Sequence, residues 1–366
     1  MGLNRKRRGA TLAASLTLLA AAAAGTPATA SSAMAAPAQA TAAAAAAGGG
    51  QPPNNFNGVN WADPRNGNFV DGPVIPSGLS TSDSYATVYS ITQKVVAGFR
   101  KNLQANTLRL PVNPQSVGPD STWWKSYKAV IDAATASGFK VILGYWDQQE
   151  GSDGVIDNVT AWNQMWSTLT TTYEHNPLVY FEPMNEPYGY TDAQWIQVCT
   201  TWLADYSYIP RGRVVISGAG YNDHVTTVGA APALDGTLLS LHFYGFWGTY
   251  TTEADWLANL EPRIGNYASR TIIDEVGEPM TTGLNYAVGD GNVYTANFDA
   301  TANYARANKM GLVYWPGLRA GDTYSMETLE PDGSLVTNDA SGAAVLKWGY
   351  GFGGVSPDGP QETAAS

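Results

Sequence analysis

Residues 178–186 read LVYFEPMNE, an apolar run that ends in two polar residues, Asn185 and Glu186. A strand of a parallel sheet is covered on both faces, so it is apolar along most of its length, as this run is. Burial of a carboxyl group at the end of such a strand costs free energy, so a carboxyl group found there usually has an ion-pair partner or a functional role. The stretch therefore predicts a buried strand whose carboxyl end carries functional side chains.

Similar apolar runs occur along the rest of the chain and alternate with stretches in which apolar residues recur every three or four positions, as in helices. There are eight runs, at 56–62, 107–113, 140–147, 178–186, 214–220, 238–246, 271–277 and 311–317. Eight strands that alternate with helices over about 300 residues predict an α/β fold of the (β/α)8 barrel (TIM barrel) class, in a single domain.

Helical spacing is clear in six of the intervening stretches. They lie at 83–104, 123–137, 161–174, 191–207, 254–268 and 295–308. The segment 224–233, after the fifth run, is short and interrupted by Gly and Pro, so it is the weakest helix prediction. An open, doubly wound sheet is the alternative fold. Such a sheet usually carries a glycine-rich phosphate loop after an early strand, and no G-x-G-x-x-G motif follows the first run.

The first 35 residues have the pattern of a secretory signal peptide, with a basic segment at 5–8 and an apolar stretch at 10–24. That stretch is short for a transmembrane helix, so a signal peptide is favoured over a membrane anchor, and we expect a secreted, extracellular protein. The predicted domains are the signal peptide at 1–35, a disordered Ala/Gly/Pro-rich linker at 36–53, the barrel at 54–350 and a flexible tail at 351–366.

The charge of the chain restricts its partners. It has 20 Lys and Arg against 31 Asp and Glu, and loss of the four basic residues in the leader would leave 16, for a net charge of about −15. A strongly acidic surface repels nucleic acid and anionic membranes. We therefore expect no nucleic acid and no membrane as a partner of the mature protein.

Cysteine and histidine give no sign of a disulfide or of a metal site. Cys199 is the single cysteine, and helical spacing around it predicts a buried thiol. The three histidines, His175, His224 and His242, are far apart and lack zinc-binding spacing. We expect no metal and no cofactor, and a protein that acts as a monomer.

Polar and aromatic residues fall at the ends of the predicted strands. In a (β/α)8 barrel these ends meet at one mouth, where active sites form. The residues are Trp61, Arg109, Trp146, Asp147, Asn185, Glu186, His242, Tyr244, Glu275 and Trp315. Aromatic rings stack on the C–H faces of sugars, amides and phenols bind hydroxyls, and two carboxyl groups can cleave a glycosidic bond. The inventory predicts a carbohydrate substrate.

The carboxyl groups need separate consideration, because a single acid at a strand end is more often an ion-pair partner than a catalyst. Glu186 and Glu275 follow the fourth and seventh runs, on opposite sides of a barrel. The two acids together indicate a catalytic pair more strongly than either acid does alone. Three other acids are expected to be structural. Glu182 should point the same way as Glu186 but lie deeper, Asp274 should face away from Glu275 because side chains alternate along a strand, and Glu278 should lie in a loop.

The ordered set Asn185-Glu186-Pro187, His242-x-Tyr244, Glu275 and Trp315 resembles glycoside hydrolase family 5, the cellulase family of clan A. The resemblance extends from about Phe56 to Trp348. It implies a retaining mechanism in which Glu186 is the acid/base and Glu275 is the nucleophile.

The resemblance also implies roles for the other site residues. Asn185 would bind the 2-hydroxyl of the cleaved sugar or hold the acid/base, and His242 would contact the leaving side or the acid/base. Arg109 and Tyr244 would keep Glu275 ionised. Trp315 would form the floor beneath the cleaved sugar.

Two features depart from the family pattern. The third strand ends without the histidine that family members often carry, so Trp146 or Asp147 would make that hydroxyl contact. The first strand ends in Asn60-Trp61 rather than in a glycine-rich opening. Because of these two departures, the resemblance does not specify which sugar is bound. A cellulase-like endo-β-glucanase is favoured, an exo-acting β-glycosidase on a non-glucose or furanose terminus is the alternative, and a catalytically dead, carbohydrate-binding barrel is disfavoured because paired carboxylates would only repel each other there.

Overall fold

The computed structural model describes residues 52–65, 71–147 and 153–353. The predicted signal peptide, nearly all of the predicted linker and most of the predicted tail lie outside these residues. Within the described residues, no helix combines the length and the apolar character that crossing a membrane would require.

Eight parallel strands form the barrel. They are β1 (Asn57–Trp61), β2 (Thr107–Val112), β3 (Lys140–Tyr145), β4 (Val179–Glu182), β5 (Val215–Ser217), β6 (Leu238–His242), β7 (Thr271–Val276) and β8 (Gly311–Leu318). Their spatial order is β4-β3-β2-β1-β8-β7-β6-β5, and a parallel bridge between Phe181 and Val214 joins β4 to β5. The predicted (β/α)8 barrel is confirmed, and each strand lies within its predicted apolar run or extends one residue beyond it.

Helices cover the outside of the barrel. Those of ten or more residues in the described part of the chain are α1 (Tyr85–Leu103), α2 (Trp124–Ala136), α3 (Val159–Tyr173), α4 (Asp192–Asp205), α5 (Glu253–Ile264), α6 (Val293–Ala307) and α7 (Ala340–Gly349). The first six match the predicted helices. Side-chain caps explain several starts: Ser84 caps α1, and Thr191 with Gln194 forms a capping box at α4.

Shorter elements fill the connections. There are four-residue helices at Pro114–Val117, Ala219–Asn222 and Thr226–Gly229, and 3-10 turns at Pro53–Asn55, Arg211–Arg213, Pro232–Leu234, Gly245–Trp247 and Gly265–Arg270. The segment after β5 thus has no long helix, in line with its weak pattern. Gly220, which has non-helical backbone angles, interrupts the turn there.

The long connection after β8 contains a hairpin that the sequence pattern does not indicate. Its strands are β9 (Glu327–Leu329) and β10 (Leu335–Thr337), paired antiparallel, and β9 joins the sheet through Leu318 and Glu327. Strands of three residues are too short to show the alternating pattern by which a sequence indicates a strand.

Side chains inside the barrel change from apolar to polar along the strands. A cluster at one level contains Phe56, Ile142, Tyr180, Val215, Leu238, Ile272 and Val313. Residues two positions further on face the same way, because side chains alternate along a strand. Glu182, Ser217, Ser240 and Asp274 are the polar residues that follow this rule, and all four are fully buried. They form a polar layer directly below the mouth.

Candidate active site

The guanidinium of Arg109, on β2, lies at the centre of the polar layer. Its Nε and Nη2 donate to Glu182 at 2.7 and 2.9 Å, and its Nη1 donates to Oε1 of Glu275 at 2.6 Å. A carboxylate oxygen of Asp274 lies 3.6 Å from Nε. Burial alone would lower the pKa of Arg109, but the three carboxylates outweigh it and hold that pKa well above its ordinary value. Arg109 is therefore a permanent cation beneath the mouth.

The structure corrects the expectation for Asp274, which does not face away from Glu275. Asp274 follows the inward alternation from Ile272, and its Oδ1 accepts from Ser240 Oγ at 2.5 Å. The pairing of β7 with β8 is irregular between Ile273 and Val276, and this irregularity lets the next residue, Glu275, contact Arg109 as well. Simple alternation cannot predict two consecutive residues that face one site.

Glu275 has a hydrogen-bond donor for each oxygen. Arg109 donates to Oε1, and the hydroxyl of Tyr244 donates to Oε2. Burial is the largest influence and raises the pKa of Glu275 above its ordinary value, while Arg109 and the hydrogen bond from Tyr244 act in the opposite direction and limit the rise. These two donors stabilise the ionised form of this carboxyl group.

Glu186 lies just after β4, on the opposite side of the mouth from Glu275, and its surroundings differ from those of Glu275. Its φ is 49°, a strained value for a residue other than glycine, and its backbone N–H donates to Asn222 Oδ1 at 3.0 Å. Its Oε1 lies 3.0 Å from Nδ1 of His242. Burial, followed by the charge of Glu275, raises the pKa of Glu186 well above its ordinary value. The protonated form is thus favoured here.

The two carboxyl groups are close together. One oxygen each of Glu186 and Glu275 and one ring nitrogen of His242 all lie within 4.8 Å of one another. Such spacing would also suit a cation, but both oxygens of Glu275 already accept hydrogen bonds and the charge of Arg109 lies against the same group. The arrangement fits an acid paired with a base better than a metal site.

Aromatic side chains surround a cavity of about 450 Å³ above the two carboxyl groups. The lining residues are Glu186, Tyr221, Tyr244, Phe246, Trp247, Glu275, Trp315, Arg319, Asp322 and Tyr324. The ring of Trp146 packs against that of Trp315, with centroids 5.3 Å apart. The cavity therefore offers ring faces beside two carboxyl groups, as a sugar requires.

Most of the residues predicted for the site are brought together at the mouth. Asn185 accepts from Arg109 Nη2 at 2.6 Å through its Oδ1. Asp147, at the end of β3, is buried beside the Tyr145 hydroxyl at 3.5 Å. Trp61 differs, since its side chain is fully buried and its indole N–H donates to the carbonyl of Ser77 at 2.9 Å. The structure therefore gives Trp61 a place in the core and no surface in the cavity.

Several residues around the site were not predicted. Asn222 follows β5, and Arg319, Asp322 and Tyr324 lie in the connection after β8. Loop residues have no periodic signal, so only their nearness in sequence to a strand end could have indicated them. Ser240 was missed as a small polar residue within an apolar run.

Comparison with known proteins agrees with this geometry. The profile of the family described as cellulase (glycosyl hydrolase family 5) matches residues 70–317. No curated protein sequence gives a significant match. Many solved structures share the fold.

Three of these structures illustrate the likeness. Cel5A (EG2) from Hypocrea jecorina has 17% identity and a TM-score of 0.55, over 78% of this chain and 96% of that one. Endoglucanase Cel5A from the hyperthermophilic Thermotoga maritima has 13% identity and a TM-score of 0.53, over 75% and 93%. XacCel5A, solved in complex with cellopentaose, has 16% identity and a TM-score of 0.53, over 80% and 99%. At these identities the structures show the fold alone.

The family match covers more than half of the chain and includes the ends of strands β2 to β7 and most of β8. The chain therefore belongs to glycosyl hydrolase family 5, the cellulase family, and is a glycoside hydrolase that acts on a carbohydrate.

Proposed function

We propose that this protein is a secreted, retaining β-glycoside hydrolase of the endo-β-glucanase type, with Glu186 as acid/base and Glu275 as nucleophile. The observation that carries the proposal is the pair of carboxyl groups, whose oxygens approach within 4.8 Å. Retaining glycosidases place these groups about 5–5.5 Å apart, whereas inverting enzymes need about 6.5–9.5 Å to admit a water molecule between them.

In the first step, Glu275 attacks the anomeric carbon and forms a glycosyl-enzyme ester, while the glycosidic bond breaks and the leaving oxygen takes a proton. This step needs an ionised and aligned carboxylate. Arg109 and Tyr244 favour both conditions, because each donates to one oxygen of Glu275. Two fixed donors also limit rotation of the carboxyl group, so it is oriented before the substrate arrives.

Glu186 supplies the proton for the leaving oxygen. Its raised pKa keeps it protonated in the free enzyme, and the loss of the negative charge on Glu275 in the ester lowers the pKa of Glu186 afterwards. Glu186 can then act as the base that activates water in the second step. One carboxyl group thus serves as acid and then as base.

Asn185 is suited to bind a hydroxyl group next to the bond that is cleaved. Its Oδ1 is held by Arg109, and its buried Nδ2 has no hydrogen-bond partner among the described residues. A buried amide without a partner is costly, and a sugar hydroxyl would satisfy it. Trp315, which lines the cavity and packs on Trp146, would support the ring of the same sugar.

An exo-acting β-glycosidase for a non-glucose or furanose terminus is the second candidate. Phe246, after β6, and Tyr324, after β8, approach each other with ring centroids 6.5 Å apart. The two connections thus meet beside the cavity. Contact between loops at a barrel mouth can close one end of a cleft and restrict it to chain termini.

Products from a substrate panel would test the proposal. The mature protein would be incubated with aryl β-glycosides, β-linked oligosaccharides and polysaccharides, with Glu275→Ala as the control. Mixed-length oligosaccharides from a β-glucan are expected. A monosaccharide or a single disaccharide would favour the exo-acting candidate, and no product at all would contradict both.

Three further measurements address the remaining parts of the proposal. The first-formed anomer, followed by proton NMR on an active substrate, should have the β configuration, whereas α product would show inversion. For secretion, the amino terminus of protein recovered from the medium should lie near residue 36, with the barrel intact over 54–350, and the leader retained on cell-bound protein would contradict it. Sedimentation should give the mass of a monomer.

A further inference from the structure

Asn222 follows β5 and occupies a buried position between the ends of the two neighbouring strands, β4 and β6, where it contacts residues of both. Its side chain is fully buried, and its φ is 54°, a conformation that asparagine tolerates better than most residues. Oδ1 accepts from the backbone N–H of Glu186 at 3.0 Å. Nδ2 lies 2.6 Å from Ser240 Oγ and 3.3 Å from Nε2 of His242.

These contacts fix which way the amide of Asn222 points. A backbone N–H can only donate, so the atom that faces the N–H of Glu186 must be the oxygen. The other end is then the NH2 group, which can only donate. Its two nearest neighbours are Ser240 Oγ and His242 Nε2, with Oε1 of Glu182 farther away at 3.5 Å, so Ser240 and His242 each accept one of its two hydrogens.

The hydroxyl of Ser240 agrees with this assignment. It accepts from Asn222 and uses its own proton to donate to Asp274 Oδ1 at 2.5 Å. For His242, acceptance at Nε2 means that this nitrogen carries no proton. A neutral imidazole then carries its proton on Nδ1, where it donates to Oε1 of Glu186 at 3.0 Å.

We propose that Asn222 is a positioning residue that holds His242 as the neutral tautomer protonated on Nδ1, and that this tautomer places the acidic proton of Glu186 on Oε2. Oε1 already accepts a hydrogen from His242, so a proton on the same oxygen would face another hydrogen. With the opposite tautomer, Nδ1 would accept, and the proton of Glu186 would be drawn to Oε1 and away from the substrate. The second part rests on the proposed role of Glu186 as the acid.

The charged groups around His242 do not override this choice. Glu186 and Glu275 face Nδ1 at 3.0 and 3.4 Å, and Asp274 lies 3.6 Å from Nε2. These acids favour a charged imidazolium, but burial and the nearby cation Arg109 lower the pKa of His242 well below its ordinary value. The ring is therefore neutral, and Nε2 lies closer to the amide of Asn222, at 3.3 Å, than to the carboxylate of Asp274.

Nitrogen NMR of labelled histidine tests the tautomer without using activity. The wild-type protein has three histidines, so His242→Gln identifies the signals of His242 by their loss. We expect protonated Nδ1 and unprotonated Nε2. A proton on Nε2 in the wild type would overturn the proposal.

Two variants then test whether Asn222 makes the choice. Asn222→Asp keeps an acceptor for Glu186 and sets an oxygen opposite Nε2, so Nε2 should gain a proton. Asn222→Gly keeps the backbone conformation and removes both contacts, so both tautomers should appear. Asn176→Asp is the matched control, because its Oδ1 accepts from the backbone N–H of Leu178 before β4, at the opposite end of the barrel. Unchanged His242 signals in both Asn222 variants would refute a positioning role.

Kinetics test the link to Glu186. Asn222→Asp should lower turnover of natural β-glycosides by roughly 10- to 100-fold, and of aryl glycosides with good leaving groups by less than about threefold, because only the former need the proton. Equal losses on both substrates would refute the link. If Glu275→Ala remained active, the proposed function would fail, whereas the tautomer result would stand.

Discussion

Nη1 of Arg109 lies 2.6 Å from Oε1 of Glu275, and neither side chain is more than 5% exposed. The same guanidinium makes a two-point contact with Glu182. One cation therefore joins the proposed nucleophile to the polar layer inside the barrel. Loss of the buried ion pairs of Arg109 should therefore lower the free energy of unfolding as well as disrupt the site.

Replacement of Arg109 by methionine should therefore destabilise the protein as well as inactivate it. The change would leave Glu182, Asp274 and Glu275 buried without a cation, and loss of one partner from a buried ion pair costs about 3–5 kcal/mol. Denaturant unfolding would measure the free energy. Lys128→Met, which breaks a partly exposed pair with Asp132, is the control and should cost no more than about 1 kcal/mol. A small loss for Arg109→Met would show that the carboxyl groups simply take up protons.

The two proposed catalytic acids should respond differently to removal. Glu275→Ala should abolish turnover of every substrate, with little change in thermal stability, because Arg109 keeps Glu182 and Asp274 as partners. Glu186→Ala should reduce turnover of natural glycosides by about 10²- to 10⁴-fold, the usual contribution of a general acid, and spare the first step for activated aryl glycosides. Rates of both steps, measured by burst kinetics, check this. Equal losses on natural and activated substrates would count against Glu186 as the acid.

The sequence predicted the barrel well because each strand is a continuous apolar run and each of the six helices after β1 to β4, β6 and β7 has its own periodicity. It predicted Glu186 and Glu275 because strand ends meet at one mouth. It could not predict Asp274, since the irregular pairing after Ile273 depends on neighbouring strands. Asn222 could not be predicted from the sequence either. Its proposed positioning role depends on contacts with the ends of β4 and β6, and no local sequence pattern indicates such contacts.

Tyr244→Phe should move the acid limb of the pH–rate profile to higher pH. The hydroxyl of Tyr244 donates to Glu275 and lowers the pKa of that carboxyl group, so its removal raises that pKa. Because Glu275 must be ionised to attack, activity would then begin at a higher pH. The basic limb, which reports loss of the proton from Glu186, should move much less. The profile of kcat/KM against pH on one substrate decides between this result and a uniform loss of rate, which would mean that Tyr244 acts only in packing. Phe246→Leu is a suitable control because Phe246 stacks on the same ring and has no hydroxyl.

Glu278 leads to a prediction about stability. Its side chain is fully buried in the connection after β7, Oε1 accepts from the backbone N–H of Gly245 at 3.1 Å, and Oε2 has no hydrogen-bond partner among the described residues. Burial raises the pKa of Glu278 well above its ordinary value, so the folded protein holds this proton more tightly than the unfolded chain does. The stabilisation that this proton gives is complete below the unfolded pKa of about 4.3 and is lost as the pH rises towards the folded pKa.

Glu278→Gln keeps an acceptor for Gly245 and carries no ionisable group, so it should not lose stability in this way. We expect the variant to gain on the wild type as the pH rises from 4 to 8, by on the order of 1–3 kcal/mol, the usual cost of a buried polar group without a partner. Unfolding free energies of both proteins at several pH values measure the gain. The exposed Glu261→Gln is the control for loss of one negative charge, and its difference from the wild type should stay nearly constant. Parallel curves for Glu278→Gln and the wild type would mean that Glu278 titrates alike in the folded and unfolded protein, and that its buried carboxyl group is compensated by a contact other than the one to Gly245.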